Sequence, residues 1–167
     1  MRGSYLGPRS SEQEILSMVH EYGANTFKLN TSDLIDKVVN SLTDGKIIGW
    51  HQGRSEFGPR ALGNRSILCQ ASDPSINKTL NDKLKRTEFM PFAPVTTEKL
   101  ANKCFENWSA SDLCSPFMTR TFNCKKDFIK ENPAVVHIDG TARPQIIKKN
   151  FNKIYYEVVE YYCKKSG

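Results

Sequence analysis

GRSEFGPRALGNRS, residues 53–66, sets Arg54, Arg60 and Arg65 among Gly53, Gly58, Pro59 and Gly63. Glycine and proline break both helix and core strand, and the guanidinium groups keep their charge. The stretch therefore reads as a shaped loop that receives an anion. KIIGW (46–50), just before it, reads as a short buried strand, and RSILCQA (65–71), just after it, as another. A strand feeding such a turn brings backbone N–H groups close to a ligand, and arginine forks add bidentate contacts to phosphate or carboxylate. Glu56 is expected to pair with one arginine and hold it. An arginine-rich turn that only binds its own domain would have the same composition.

Moving outward, Ser11-Glu12-Gln13-Glu14 is a capping box, followed by a helical stripe of Ile15, Met18, Val19 and Tyr22 and a stop at Gly23. A second helix is expected from Thr31 or Ser32, with Leu34, Ile35, Val38, Val39 and Leu42 on one face and Gly45 behind it. Asp73 before Pro74 predicts the cap of a third helix, carrying Ile76, Leu80 and Leu84. PFAPVTT (91–97) must be extended, because Pro91 and Pro94 forbid helix. A short helix is expected over Glu98–Phe105, strands over SPFMTRTF (115–122) and AVVHIDG (134–140), and a last helix over Asn152–Lys165. Helices alternating with strands predict an α/β or α+β fold.

The chain has 167 residues, which suits one domain with a core of its own. Residues 1–9 read as a junction whose MRGS start resembles an expression scar, and residues 10–167 as the domain. A net charge of +6 fits nucleic acid, an anionic surface or phosphorylated small molecules. The five cysteines show no C-x-x-C spacing, and no secretory leader or membrane-length apolar run occurs. Reduced thiols, a cytoplasmic location and no protein-held metal are the expectations.

Two further clusters carry chemistry. KLKRTEFMPFAP (83–94) ends a helix in Lys83, Lys85 and Arg86, cations that either complement the helix dipole or meet a ligand. HIDGTARPQ (137–145) turns at Gly140 and presents Thr141, Arg143 and Gln145, groups suited to a polar ligand. His137 and Asp139 alternate as a metal pair would, but two residues make no site, and a strand histidine satisfied by its neighbours fits equally. Arginines gathered at strand ends favour an ATP or acyl-phosphate pocket over a nucleic-acid footprint, and neither a Walker motif nor G-x-G-x-x-G occurs.

IIGWHQGRSEFGPRALGNRSIL, RTEFMPFAPV and AVVHIDGTARPQII, in this order, resemble the C-terminal domain of the carbamoyltransferases of the nodulation-protein U and antibiotic O-carbamoyltransferase type. The likeness runs from YLGPRSSEQEI to YYCKKSG. It implies a YrdC-like fold, a twisted mixed sheet flanked by helices, that takes carbamoyl phosphate and ATP with Mg²⁺ and forms a carbamoyl-adenylate. A separate metal-carrying N-terminal domain would then pass the carbamoyl group to a hydroxyl. Carried over by position, Arg54, Arg60, Lys85 and Arg86 would be the catalytic cations. Glu56, Arg65, His137, Asp139, Thr141 and Arg143 would line the substrate and ATP site. The chain departs from the family's lysine-x-arginine pair, having Leu84 two residues before Arg86, with Lys83 or Lys85 to substitute for the lysine. It is also expected to stop before an NTSFN-type strand, leaving the domain C-terminally incomplete with an unpaired sheet edge prone to self-association.

The chemistry needs fixed cations and donors rather than a nucleophile, because charge develops on phosphate oxygens. Two other readings stand beside it: a basic RNA-binding module, against which the lack of aromatic–basic platforms speaks, and an inactive remnant of a carbamoyltransferase.

Overall fold

The computed structural model describes residues 3–87 and 91–166. Glu88–Met90, inside the second motif, lie outside the described residues. In chain order come α1 (Glu12–Glu21), α2 (Thr31–Thr43), β1 (Ile48–His51), β2 (Arg65–Leu68), α3 (Ile76–Lys83), β3 (Val95–Thr97), α4 (Ala101–Cys104), β4 (Phe122–Asn123), α5 (Lys126–Glu131), β5 (Thr141–Ala142), β6 (Gln145–Ile147) and α6 (Lys153–Ser166). This is the expected mixed α/β class. Among the described residues its strands form two-stranded ladders: β1 with β2 antiparallel, β3 with β6 parallel, and β4 with β5 antiparallel.

The helix ends follow the sequence closely. Ser11 and Glu14 form the capping box at α1, with Glu14 N–H donating to Ser11 Oγ over 3.2 Å and Ser11 N–H to Glu14 Oε2 over 2.7 Å. Gly23 and Gly45 stand in the left-handed region just past α1 and α2, where the paired N–H bonds of a Schellman turn satisfy the last carbonyls.

The core is built on both sides of β6. Its three residues are all buried, as a parallel strand covered on both faces requires. Ile147 joins Val38, Val39 and Leu42 of α2, Trp50 and Leu68 of the β1–β2 hairpin, and Tyr155, Tyr156, Val158 and Val159 of α6. Ile146 joins Phe105, Trp108, Phe122, Cys124 and Ala142 in the second cluster. Adjacent strand residues point to opposite faces, so two neighbouring isoleucines serve two cores. A third cluster, Ile76, Leu80 and Ala134, holds α3.

Four local expectations are corrected. α3 begins at Ile76, later than Asp73-Pro74 suggests, because Asp73 first closes a turn by accepting from Ser75 N–H at 2.9 Å. The short helix spans only Ala101–Cys104. SPFMTRTF is not a strand. Asp112 Oδ1 accepts from the N–H groups of Cys114 and Ser115 and coils Ser115–Phe117 into a 3₁₀ turn, and only Phe122 and Asn123 reach a ladder. In AVVHIDG, Pro133 starts a second 3₁₀ turn over Pro133–Val135, and the chain pairs only at Thr141–Ala142, after Gly140 has reversed it.

Residues 4–9 form backbone hydrogen bonds with the arginine loop, with Gly7 N–H on Ser55 O (3.0 Å), Ser55 N–H on Pro8 O (2.9 Å) and Phe57 N–H on Ser4 O (2.6 Å). No helix among the described residues is long and apolar enough to cross a membrane.

Candidate functional site

The arginine loop joins β1 to β2, and its backbone is held from every side. The Leu62 carbonyl accepts from Tyr5 Oη (2.8 Å) and Gln145 Nε2 (2.7 Å). The Gly63 carbonyl accepts from Trp50 Nε1 (2.9 Å), Gln52 Nε2 (2.9 Å) and Asn152 Nδ2 (3.3 Å). Gly63 itself has φ +100°, and a Cβ there would stand 2.2 Å from the Tyr155 ring, so only glycine fits between the loop and α6.

Among the described residues Glu56 forms no ion pair with an arginine, contrary to expectation. Its Oε1 accepts from the N–H groups of Leu62 (2.8 Å), Asn64 (2.7 Å) and Arg65 (3.0 Å). Burial by itself raises this carboxyl's pKa, but the backbone donors outweigh it and hold the group below its ordinary value. Gly63 N–H donates to Ser66 Oγ at 3.0 Å. The amides from Leu62 to Arg65 are thus taken up within the loop, and an incoming anion would find side chains there rather than a backbone nest.

The three arginines divide. Arg65 donates to the carbonyls of Gln52 (2.6 Å), Asn64 (3.0 Å) and Gly53 (3.2 Å), which ties the loop's two ends together. Arg54 is exposed and donates to Leu6 O at 3.0 Å. Arg60, half-buried, forms no hydrogen bond or ion pair among the described residues, and neither does the exposed Arg143.

Gln145 is where the three motifs meet. Its side chain holds Leu62 of the arginine loop, its N–H donates to Pro94 O at 2.9 Å, and it closes the HIDGTARPQ segment. Buried polar groups of this kind fix their neighbours because breaking the bond leaves an orphan. Sequence reading named Gln145 only as a polar group for a ligand; its burial beside Pro144 and Ile146 shows it to be the joint between motifs.

Lys85 and Arg86 leave the end of α3 through a Schellman turn in which Lys85, not glycine, takes the left-handed place (φ 53°). Lys85 is exposed, and Arg86 lies over the Phe92 ring at 5.0 Å. At the third motif, Asp139 Oδ1 accepts from Thr141 N–H (3.0 Å) and Thr141 Oγ1–H (2.7 Å). Those two bonds from Thr141 hold Asp139 below the usual carboxylate range. His137 Nδ1 lies 3.0 Å from the same Thr141 hydroxyl.

An open groove of about 580 Å³ lies between α1 and the loop, lined by Arg9, Ser10, Glu14, His51 and Ser55, with Arg65 the expected site residue that reaches it. The cysteines are all free; burial pushes Cys104 and Cys124 up to about 11, far from nucleophilic thiolates. No group of three or more His, Cys, Asp or Glu side chains among the described residues is placed to hold a metal ion.

Residues 39–167 match the family model described as the carbamoyltransferase C-terminus. The chain is 37% identical over 169 residues to nodulation protein NolNO of Sinorhizobium fredii, covering 98% of this chain and 24% of that protein. It is 38% identical over 133 residues to nodulation protein U of the same species, covering 80% of this chain and 23% of that protein. An uncharacterized protein of Methanocaldococcus jannaschii is 40% identical over 129 residues, 77% of this chain and 24% of that protein. The chain spans about a quarter of the length of these curated relatives. The matched region takes in the arginine loop, the Gln145 joint and α6 together, and the chain belongs to the carbamoyltransferase C-terminus family.

Proposed function

We propose that this domain binds carbamoyl phosphate and ATP and prepares the carbamoyl group, as a carbamoyl-adenylate, for transfer to a hydroxyl by another part of a longer carbamoyltransferase. The observation that carries the reading is the pair of guanidinium groups, Arg60 and Arg143, that have no partner among the described residues and stand in segments joined through Gln145. An unpaired arginine at a rigid joint is ready for phosphate oxygens, which its planar fork fits. Lys85 and Arg86 would add charge from the end of α3, and Arg54 from the rim of the loop. Arg65 and Glu56 would act through the loop's shape.

The donor set suits phosphate oxygens. With no cluster of acidic side chains among the described residues to cage it, Mg²⁺ would be held by the phosphates and water, screening their charge. Water would first cleave carbamoyl phosphate to carbamate and inorganic phosphate; a carbamate oxygen would then attack the α-phosphorus of ATP and displace pyrophosphate, and the side chains named would neutralise charge on the entering and leaving oxygens. Arginine is a fixed cation and moves no proton here.

Calorimetric titration with Mg²⁺-ATP, with and without carbamoyl phosphate, tests the reading. Arg60→Ala and Arg143→Ala should each weaken binding by about 1.5–3 kcal/mol, roughly ten- to a hundredfold, with unfolding midpoints unchanged. Unaltered affinity in both variants would remove these residues from the site. A steep salt dependence of tRNA binding without competition from ATP would instead favour the RNA-binding reading.

A further inference from the structure

We infer that Thr141 and Asp139 hold His137 as the Nδ1–H tautomer, making its Nε2 a hydrogen-bond acceptor for an N–H donor on the substrate; the substrate half of this inference rests on the proposed function. The argument is one of counting protons. A threonine hydroxyl has a single hydrogen. Asp139, held in its ionised form, can only accept, and its Oδ1 stands 2.7 Å from Thr141 Oγ1. Turning the hydroxyl hydrogen elsewhere would leave two lone pairs facing each other at that distance. The hydrogen therefore points to Asp139, and Thr141 Oγ1 has only lone pairs to offer His137. Nδ1, 3.0 Å away, must supply the proton.

The frame around the three residues is rigid. His137 N–H donates to Thr141 O at 2.7 Å and Gly140 N–H to His137 O at 2.9 Å, closing the turn. Thr141 and Asn123 are paired across β4 and β5. The imidazole is half-buried, and its Nε2 forms no hydrogen bond among the described residues. In the Nδ1–H tautomer the donor nitrogen is already engaged, and Nε2 is left to recognise donors. It would not serve phosphate, which needs donors itself. On the substrates of the proposed reaction, the N–H donors are the carbamoyl amide and the adenine amine. His137 thus supplies selectivity, Thr141 positions it, and Arg60 and Arg143 supply the charge.

The chain has three histidines, so ¹⁵N-imidazole spectra resolve His137 once a His137→Gln sample assigns it. The expected result at neutral pH is the Nδ1–H form in the wild type and in Thr141→Ser, which keeps the hydroxyl, and a shift toward Nε2–H in Thr141→Val. Circular dichroism checks that both variants fold. Competition titrations then compare carbamoyl with acetyl phosphate, which lacks the amide, and ATP with ITP, which lacks the amine. One of the two preferences should shrink about tenfold in Thr141→Val and survive in Thr141→Ser. An Nε2–H wild-type signal overturns the inference even if ATP binds well. Unchanged preferences in Thr141→Val, with both ligand pairs binding, overturn its substrate half. Failure of the wild type to bind any of the four compounds sinks the functional reading along with that half, while the tautomer remains decided by the spectrum.

Discussion

Glu56 is the acid of the arginine loop, and its position in the structure assigns it to the backbone. Its folded-state pKa is lowered, so the stability it contributes is fully present above the unfolded carboxylate value and is lost as pH falls through the folded one. Glu56→Gln should be less stable than the wild type by about 1 kcal/mol at neutral pH, and the two denaturation curves should converge on acidification. A gap that persists at low pH would assign the effect to packing instead. Lys85 makes the complementary case. A lysine at φ 53° bears a steric cost that glycine does not. Lys85→Gly should raise stability by about 0.5–1 kcal/mol in urea denaturation while lowering affinity for Mg²⁺-ATP. A variant that is no more stable would mean the turn carries no strain. The residue types of the site were legible in the sequence, but their division of labour was not. Nothing local distinguishes Arg65, saturated by three carbonyls, from Arg60, which has none.

Among the elements, α1 and α2 carry similar sequence signals and meet different fates. Both have capping residues and an apolar stripe, yet α1 buries none of its residues, whereas Val38, Val39 and Leu42 of α2 lie in the core against α6. Ile15, Leu16 and Met18 are 42%, 54% and 57% exposed, which separates a helix that forms from a helix that packs. Leu16→Lys should change unfolding stability by no more than about 0.5 kcal/mol. Val39→Ala, at a fully buried position, should cost about 2–3 kcal/mol. Equal losses would place α1 in the core. Periodicity alone could not tell these helices apart, because amphipathicity names a buried face without naming its partner. The misread strands have a related cause. Phe117 and Val135 look like strand residues, but Asp112 and Pro133 coil the chain locally before any ladder can form.

For the whole molecule, the order of the motifs could be read along the chain, and their meeting point could not. β3 and β6 pair in parallel across about fifty residues of intervening chain, a register that no local signal encodes. That pairing puts Pro94 beside Gln145, and Gln145 reaches Leu62. Asn152, at the threshold of α6, completes the join. It donates to Asn64 Oδ1 (2.9 Å) and Tyr5 Oη (3.2 Å) as well as to Gly63 O, and accepts from Gln52 Nε2 (3.0 Å). One amide side chain thus touches the N-terminal segment, the end of β1, the arginine loop and the last helix. Binding loops usually belong to the least stable part of a protein, opening far more often than the core does. Here the loop cannot loosen unless α6 lets go of it. Its amides at Leu62, Asn64 and Arg65 should therefore exchange with solvent deuterium as slowly as those in the middle of α6, through the same global opening.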